Sequence, residues 1–242
     1  MLISSRQNEK IKFIKSLFRK ETRSAKRLFV VEGFKTVREA ISHNIPITTL
    51  VITQKWQDKF DESIETLLVT DSVFESLSNE VSPEGVLAVV KMPDTSVIPP
   101  KSEKCLLLDG VSDPGNMGTI IRTATAAGYK DIYLRGCVEP FNPKVVRSSM
   151  SGIYFVNLHI GTFDEIKVAL QGIPLIGADM DGTNVFDFKS PKAFCLAVGS
   201  ESHGISPQTE ELAQYKVSIP MEKEMESLNA GVSASILMYL LK

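Results

Sequence analysis

Three short stretches in the second half of the chain combine residue types that can do chemistry. The first is Asp109-Gly110-Val111-Ser112-Asp113-Pro114-Gly115-Asn116-Met117-Gly118, with Arg122 following it; the second is Gly199-Ser200-Glu201-Ser202-His203-Gly204; the third is Ile219-Pro220-Met221, then Ser227-Leu228-Asn229. Each has a common reading that its own residues deny. Gly110 and Gly115 are spaced as in a phosphate-binding loop, but Asn116 and Met117 stand where that loop needs Lys and Ser or Thr. A dinucleotide fingerprint fails because Ser112 and Asp113 stand where a partner glycine is needed. Ser202, two residues before Gly204, has the outline of a serine-hydrolase elbow, yet Ser200 takes the other glycine position and only His159 falls near a strand end. Each stretch also has a purely structural reading: Asp-Pro-Gly-Asn is turn chemistry, Gly204 can close a turn, and Ser206-Pro207 is an ordinary helix start. Metal chemistry is not expected, because His43, His159 and His203 lack ligand spacing. Cys105, Cys137 and Cys195 lie far apart in apolar surroundings, as buried reduced thiols do.

The elements around these stretches give them a common place. From Cys105 onward the periodicity predicts strands at 105–109, 131–134, 153–158, 174–178, 194–198 and 215–219. Helices are predicted at 117–127 (closed by Gly128), 163–170, 207–213 and 228–241. This alternation implies a mostly parallel sheet with helices on both faces. In such a sheet ligands bind beyond the carboxyl ends of strands, which is where all three stretches fall.

The first half reads as a smaller α/β unit. Ile11, Ile14, Leu17 and Phe18 stand at helical spacing among lysines, predicting one amphipathic helix over 8–20. Strands follow at 28–31, 47–53 and 85–90, and helices at 33–42 and 71–77. Pro93, Pro99 and Pro100 punctuate a polar stretch without apolar period, read as a linker. The domain boundaries are thus 1–92, a linker over 93–104, and 105–242.

Composition narrows the function classes. With 43% hydrophobic and 23% charged residues the chain is an ordinary folding sequence, not a disordered one. No apolar run is long enough for a membrane helix and the N-terminus lacks a secretory core, so a cytoplasmic protein without membrane contact is expected. The net charge of −2 hides an asymmetry: residues 1–38 carry +8 and the remainder −10. A basic end of this kind either seeks a polyanion or is a solvated helix face.

Taken together the motifs resemble the SpoU (TrmH-type) class of RNA 2′-O-ribose methyltransferases within the SPOUT superfamily. Asn116-x-Gly118-x-x-x-Arg122-x-Ala124 is similar to its first motif and Gly199-x-Glu201-x-x-Gly204 to its second. Ile219-Pro220-Met221 with Ser227-Leu228-Asn229 is similar to its third. The stretch from Asn142 to Met150 looks like the family's segment between motifs. Phe29-Val30-Val31-Glu32-Gly33 and Ser82-Pro83-Glu84-Gly85-Val86-Leu87-Ala88 resemble the substrate-binding domain, similar to ribosomal protein L30e, that precedes the catalytic domain in many members. Two departures stand out: Lys223 replaces a usual glycine after Met221, and Gly231 replaces a usual small polar residue.

The resemblance implies an L30e-like α/β domain followed by a SPOUT α/β domain with a deep trefoil knot. It also implies S-adenosylmethionine as methyl donor, no metal, RNA as substrate and a homodimer with active sites by the subunit interface. Gly199, Ile219, Met221 and Leu228 then fall to the donor, with Gly199 permitting close backbone approach to it. Arg122, Asn116, Glu201, Ser227 and Asn229 fall to catalysis. Arg122 is the family's candidate base, either directly or through a substrate phosphate, since a guanidinium rarely gives up its proton. Lys12, Lys15, Arg19, Lys20, Arg23, Lys26 and Arg27 form the expected RNA-docking surface, and Ser149 is a further RNA-facing candidate. Ribosomal RNA is preferred because the added N-terminal domain is more typical of the family's ribosomal members. The alternatives are a transfer-RNA ribose methyltransferase, a non-catalytic RNA-binding protein that keeps the fold, and a hydrolase using Ser202.

Overall fold

The structure is a computed structural model that describes residues 2–60, 63–225 and 227–241. The chain divides into two units, Met1–Pro93 with Phe141–Arg147, and Asp94–Pro140 with Ser148–Lys242.

The first unit is a mixed five-stranded sheet in the order β1-β4-β3-β5-β2. Its elements are β1 (Leu2–Ile3), α1 (Glu9–Ser16), α2 (Lys20–Lys26), β2 (Leu28–Glu32), α3 (Phe34–Ser42), β3 (Ile47–Ile52), β4 (Thr66–Val69), α4 (Asp71–Leu77) and β5 (Val86–Lys91). The single helix expected over 8–20 is two. Asn8 caps α1 by accepting from the Lys10 N–H at 2.9 Å, and the apolar stripe Ile11, Ile14, Leu17 is buried against α4 and the sheet. That stripe ends at Phe18, after which only Arg23 of α2 is buried, so the chain turns instead of continuing straight. Arg23 Nη1 donates to the Leu17 carbonyl at 2.9 Å, satisfying an acceptor that the end of α1 leaves open. The strands β1 and β4 had no counterpart in the sequence reading; two and four residues are too short to show a period.

The second unit carries six strands, all neighbours parallel, in the order β11-β9-β10-β6-β7-β8. In chain order the elements are β6 (Lys104–Asp109), α5 (Pro114–Ala127), β7 (Asp131–Arg135), β8 (Asn157–Ile160) and α7 (Phe163–Ala169), while α6 (Pro143–Ser148), between β7 and β8 in sequence, falls up to Arg147 in the first unit. They continue with β9 (Leu175–Asn184), β10 (Phe194–Gly199), α8 (Pro207–Leu212), β11 (Tyr215–Ser218) and α9 (Ala230–Leu240). Alternate residues of the central strands serve the two faces. Cys105, Leu107, Cys195 and Ala197 pack with Ile166 and Ala169 of α7, while α9 contacts β10 and packs along α5. Cys105 and Cys195 are register partners on adjacent strands, both buried and free, and burial pushes the Cys137 thiol up to about 11. The strand expected at 153–158 is displaced to β8. Residues 152–154 form a helical turn instead, because Gly152 lies against α5, where an added Cβ would stand 3.1 Å from Arg122 Cα.

The stretch expected as a linker is pinned along β7 and β8 from Thr95 onward. The Ile160 N–H donates to the Thr95 carbonyl at 2.9 Å, and Tyr133 Oη donates to the Ile98 carbonyl at 2.7 Å. His159, stacked on Tyr133, sits 2.7 Å by Nδ1 from the Ser96 carbonyl and 3.2 Å by Nε2 from Asp131 Oδ1. Asp131 is the hub: it also accepts from Ser102 Oγ at 2.8 Å, Asn157 Nδ2 at 3.0 Å and the Lys101 N–H at 3.0 Å. Burial alone would raise its pKa, but the hydrogen bonds from Ser102, Asn157, His159 and Lys101 together hold it below the ordinary 3.8. Replacing Asp131 by alanine is expected to lower unfolding free energy by about 3 kcal/mol in urea titrations, since several buried donors lose their acceptor. Because the folded carboxyl is the stronger acid, this stabilisation is fully present above the ordinary value and fades as pH falls through the lower folded one. The difference between wild type and variant should therefore shrink in strong acid.

Candidate active site

Strand register brings the first two motif stretches to one spot. Gly199 at the end of β10 pairs with Asp109 at the end of β6, so the loops that leave these strands start side by side. The first loop ends where Asp113 caps α5, its side chain accepting from the Asn116 N–H at 2.8 Å, with Pro114 in the first turn. This fixes Asn116 in the first turn of the helix. In the third stretch Asn229 caps α9, accepting from the Val232 N–H at 3.2 Å. Thr123 of α5 and Ser235 of α9 share a hydroxyl contact of 2.9 Å, which holds the two helices together.

The Asn116 amide then joins all three motifs. Its Oδ1 accepts from Asn229 Nδ2 at 2.8 Å and its Nδ2 donates to Glu201 Oε1. Glu201 lies on a cavity of about 450 Å³, a volume within the usual range for small-molecule sites. Gly199, Ile219, Met221, Ser227 and Leu228 also line it, so six of the nine expected catalytic and donor-binding residues reach the cavity. Asn116 and Asn229 stand behind Glu201 in the hydrogen-bonded chain just described. Arg122 does not join them: it is exposed, makes no ion pair among the described residues, and lines no part of the cavity. Six residues beyond Asn116, it lies about 120° away around the helix.

Other expectations change in detail. The space that Gly199 leaves is filled by the protein itself, since a Cβ there would stand 1.8 Å from Gly204 C and 2.2 Å from Ile205 N. The glycine is required by the tight return of its own loop, where Ser200 and Gly204 exchange N–H···O bonds of 3.0 and 2.9 Å. Ser149 is fully buried and its hydroxyl donates to the Met150 carbonyl at 3.3 Å, so its side chain faces the interior rather than RNA. The cause is Gly118, which lets α5 close on this segment: a Cβ there would stand 2.8 Å from the Ser149 nitrogen. Arg23, expected on the RNA-docking surface, is only 2% exposed. Lys12, Lys15, Arg19, Lys20, Lys26 and Arg27 are exposed, with Lys12 paired to Glu9 at 3.1 Å and Arg27 donating to the Pro93 carbonyl. Ser202 Oγ stands 2.7 Å from His203 Nδ1, but no carboxylate orients the far nitrogen among the described residues, so a hydrolase triad is not formed.

The sequence reading missed several lining residues, among them Asp179, Met180, Val198 and Leu237. Asp179 and Met180 directly follow the expected strand 174–178, and the rule for strand ends could have flagged them. The Asp181 N–H and Lys216, 3.0 Å away, hold the Asp179 carboxyl below its ordinary range. Lys216 also pairs with Glu210 on the same wall. The lining thus holds three carboxylates, Asp179 and Glu210 sharing Lys216 and Glu201 bonded to Asn116, together with the apolar Ile219, Leu228 and Leu237.

Comparison with known proteins places this arrangement. The SpoU rRNA Methylase family matches residues 103–239, and an MRM3-like substrate binding domain matches residues 8–88. A 23S rRNA (guanosine-2′-O)-methyltransferase of Bacillus subtilis is 29% identical, the match covering 99% of this chain and 98% of that protein. A 23S rRNA (uridine-2′-O)-methyltransferase of Streptomyces viridochromogenes is 31% identical over 91% of this chain and 83% of that one. The crystal structure of an AdoMet-bound rRNA methyltransferase from Sinorhizobium meliloti superposes with a TM-score of 0.91 at 25% identity, covering 100% of this chain and 97% of that one. The matched residues include the three loops that the Asn116 amide ties together, and this chain belongs to the SpoU rRNA methylase family.

Proposed function

We propose that this chain transfers the methyl group of S-adenosylmethionine (AdoMet) to a ribose 2′-hydroxyl of ribosomal RNA, working as a homodimer in the cytoplasm. The observation that carries this reading is the single amide of Asn116, which links Glu201 on the cavity wall to Asn229 at the head of α9. Three sequence-distant motifs thereby act on one place. The cavity suits the donor: AdoMet bears a net positive charge near neutral pH, and the lining supplies carboxylates for it and apolar residues such as Ile219 and Leu228 for its adenine.

When bound, AdoMet supplies a methyl group that its sulfonium already makes electrophilic, leaving as a thioether that needs no proton. The work left to the protein is to hold the ribose and remove its proton. Asn116, fixed at both ends of its amide, and Asn229 orient the hydroxyl, while Glu201 is held by Asn116 and shapes the cavity wall. Arg122 takes the proton directly, or pairs with a substrate phosphate that takes it. Ile219, Met221, Ser227 and Leu228 hold the donor. Arg122 lies outside its own cavity, and Val232 and Leu240 of α9 are 45% and 41% exposed; both features favour a homodimer with active sites beside the interface. The trefoil knot of the catalytic domain, and the division into an L30e-like domain (1–92), a linker (93–104) and a catalytic domain (105–242), are part of the proposal. No helix of the described residues is long and apolar enough to cross a membrane, and the cysteines are free, in keeping with a cytoplasmic site. The Bacillus subtilis and Streptomyces viridochromogenes relatives are by name 23S rRNA methyltransferases, one for guanosine and one for uridine, which favours ribosomal RNA as the substrate.

The test is methyl transfer from radiolabelled AdoMet to unmodified ribosomal RNA, with 2′-O-methyl mapping in cells with and without the gene. Transfer to one ribosomal nucleotide that loses its methyl group in the deletion is expected; transfer to transfer RNA alone, or none, overturns the reading. Reversing charge at Lys15, Arg19, Lys20 and Lys26 is expected to weaken RNA binding. Each lost phosphate contact should flatten the slope of log K against log salt by about 0.7–0.9. Filter binding across a salt series checks this, with AdoMet affinity as the unchanged control.

A further inference from the structure

The residues that line the cavity from Gly199 to Ile205 form one loop, and its two ends are held by different means. The outgoing end is set by strand pairing, Gly199 opposite Asp109. At the return end the chain leaves the cavity at Ser206, and there a buried carboxylate from a neighbouring strand takes hold. Asp109 Oδ2 accepts from the Ser206 N–H at 2.8 Å, and Asp109 Oδ1 accepts from Arg135 Nη1 at 2.8 Å. The same Arg135 nitrogen reaches Ser206 Oγ at 2.5 Å, and Nη2 reaches Gln208 Oε1 at 2.5 Å. Arg135 stands opposite Asp109 in the β6–β7 register, so the clamp joins the ends of two strands to the start of α8. None of these four residues lines the cavity, and Asp109 is 6% exposed.

We infer that Asp109 is a positioning residue for AdoMet binding: with Arg135 it holds the return end of the loop 199–205 against the sheet. The inference rests on the reading that AdoMet occupies this cavity. A charged, buried acceptor facing an N–H and a guanidinium makes charge-assisted hydrogen bonds, which are the stronger kind. Burial by itself would raise the Asp109 pKa; the bonds from Ser206, Thr209 and Arg135 outweigh it and keep the carboxylate ionised. The clamp fixes the return end of the loop, which neither the Ser200–Gly204 bridge, internal to the loop, nor the Asn116 bond to Glu201, at its outgoing side, reaches. Placed one shell behind the ligand, the clamp should act on donor binding and leave RNA binding alone.

The experiment is calorimetric binding of AdoMet and of S-adenosylhomocysteine to wild type, Asp109→Asn, Arg135→Gln and Ser206→Ala, with steady-state kinetics on RNA and thermal melts. In Asp109→Asn both ligands are expected to bind about tenfold more weakly. The KM for AdoMet should rise by the same factor while the KM for RNA and kcat stay within about threefold. Equal weakening of the sulfonium ligand and the thioether ligand marks loop position rather than a lost interaction with the sulfonium charge. If Asp109→Asn does not fold, Arg135→Gln decides in the same way; Ser206→Ala, which keeps the backbone N–H bonded to Asp109, is expected to weaken both ligands less. Variants that melt earlier yet keep wild-type affinity for both ligands overturn the inference. A wild-type protein that binds neither ligand overturns instead the assignment of the cavity, and the clamp's role with it.

Discussion

Arg122→Lys is expected to lower kcat by about 10²–10³-fold, as for a lost proton-transfer group, while AdoMet affinity changes less than about twofold. The substitution keeps the positive charge and most of the reach, so a role as point charge would survive it. What it removes is the planar fork that can pair with a phosphate through two parallel bonds. AdoMet affinity should hold because Arg122 lines no part of the cavity. Exposure adds a control: Arg122 is outside the buried core, so the variant should melt like wild type. Single-turnover methylation with saturating AdoMet measures the rate, and calorimetry the binding. A phosphorothioate beside the target ribose separates the two versions of the mechanism. It should slow the wild type if the phosphate takes the proton and leave it unchanged if the guanidine does.

Asn116→Ala should reduce kcat/KM by about 10²-fold, because it removes two hydrogen bonds at once, one of them to a carboxylate. The effect should appear in both substrates' kinetics, since Asn116 supports Glu201 on the cavity wall and Asn229 at the head of α9. Asn229→Ala alone is expected to cost less. In the double variant the two losses should fall well short of adding, as neighbours in one hydrogen-bonded chain do. Additive losses would mean that the bridge between motifs is incidental.

The parts of the molecule that were readable from sequence are those whose cause is local. The stop at Gly128 and the strands expected at 105–109 and 194–198 follow from residues within a turn or two, whereas the caps at Asp113 and Asn229 went unread, the helices having been expected to start at 117 and 228. The grouping of Asn116, Glu201 and Asn229 was readable only through resemblance, because their separations of 85 and 113 residues carry no period. Asp109, Arg135 and Ser206 were not readable as a set. Each is ordinary in its neighbourhood, and only the order β10-β6-β7 makes them meet. Arg23 and Ser149 failed for a different reason: charge and polarity say what a side chain prefers, not whether a neighbour satisfies it in the interior. The Leu17 carbonyl does so for Arg23 and the Met150 carbonyl for Ser149. The strand expected at 153–158 starts only at Asn157, since burial against a helix and burial in a sheet leave the same mark in so short an apolar stretch as 153–156.

The all-parallel sheet has a consequence for how the chain is made. Leucines 106–108 at its centre pair on one side with β7, about 26 residues on, but on the other side with β10, about 90 residues on. At about 5–20 residues per second the second partner leaves the ribosome some 3–13 seconds after the first, and that apolar strand edge waits uncovered meanwhile. Any slowing of translation between these strands should thus raise aggregation of the nascent chain, without altering a single contact of the finished protein.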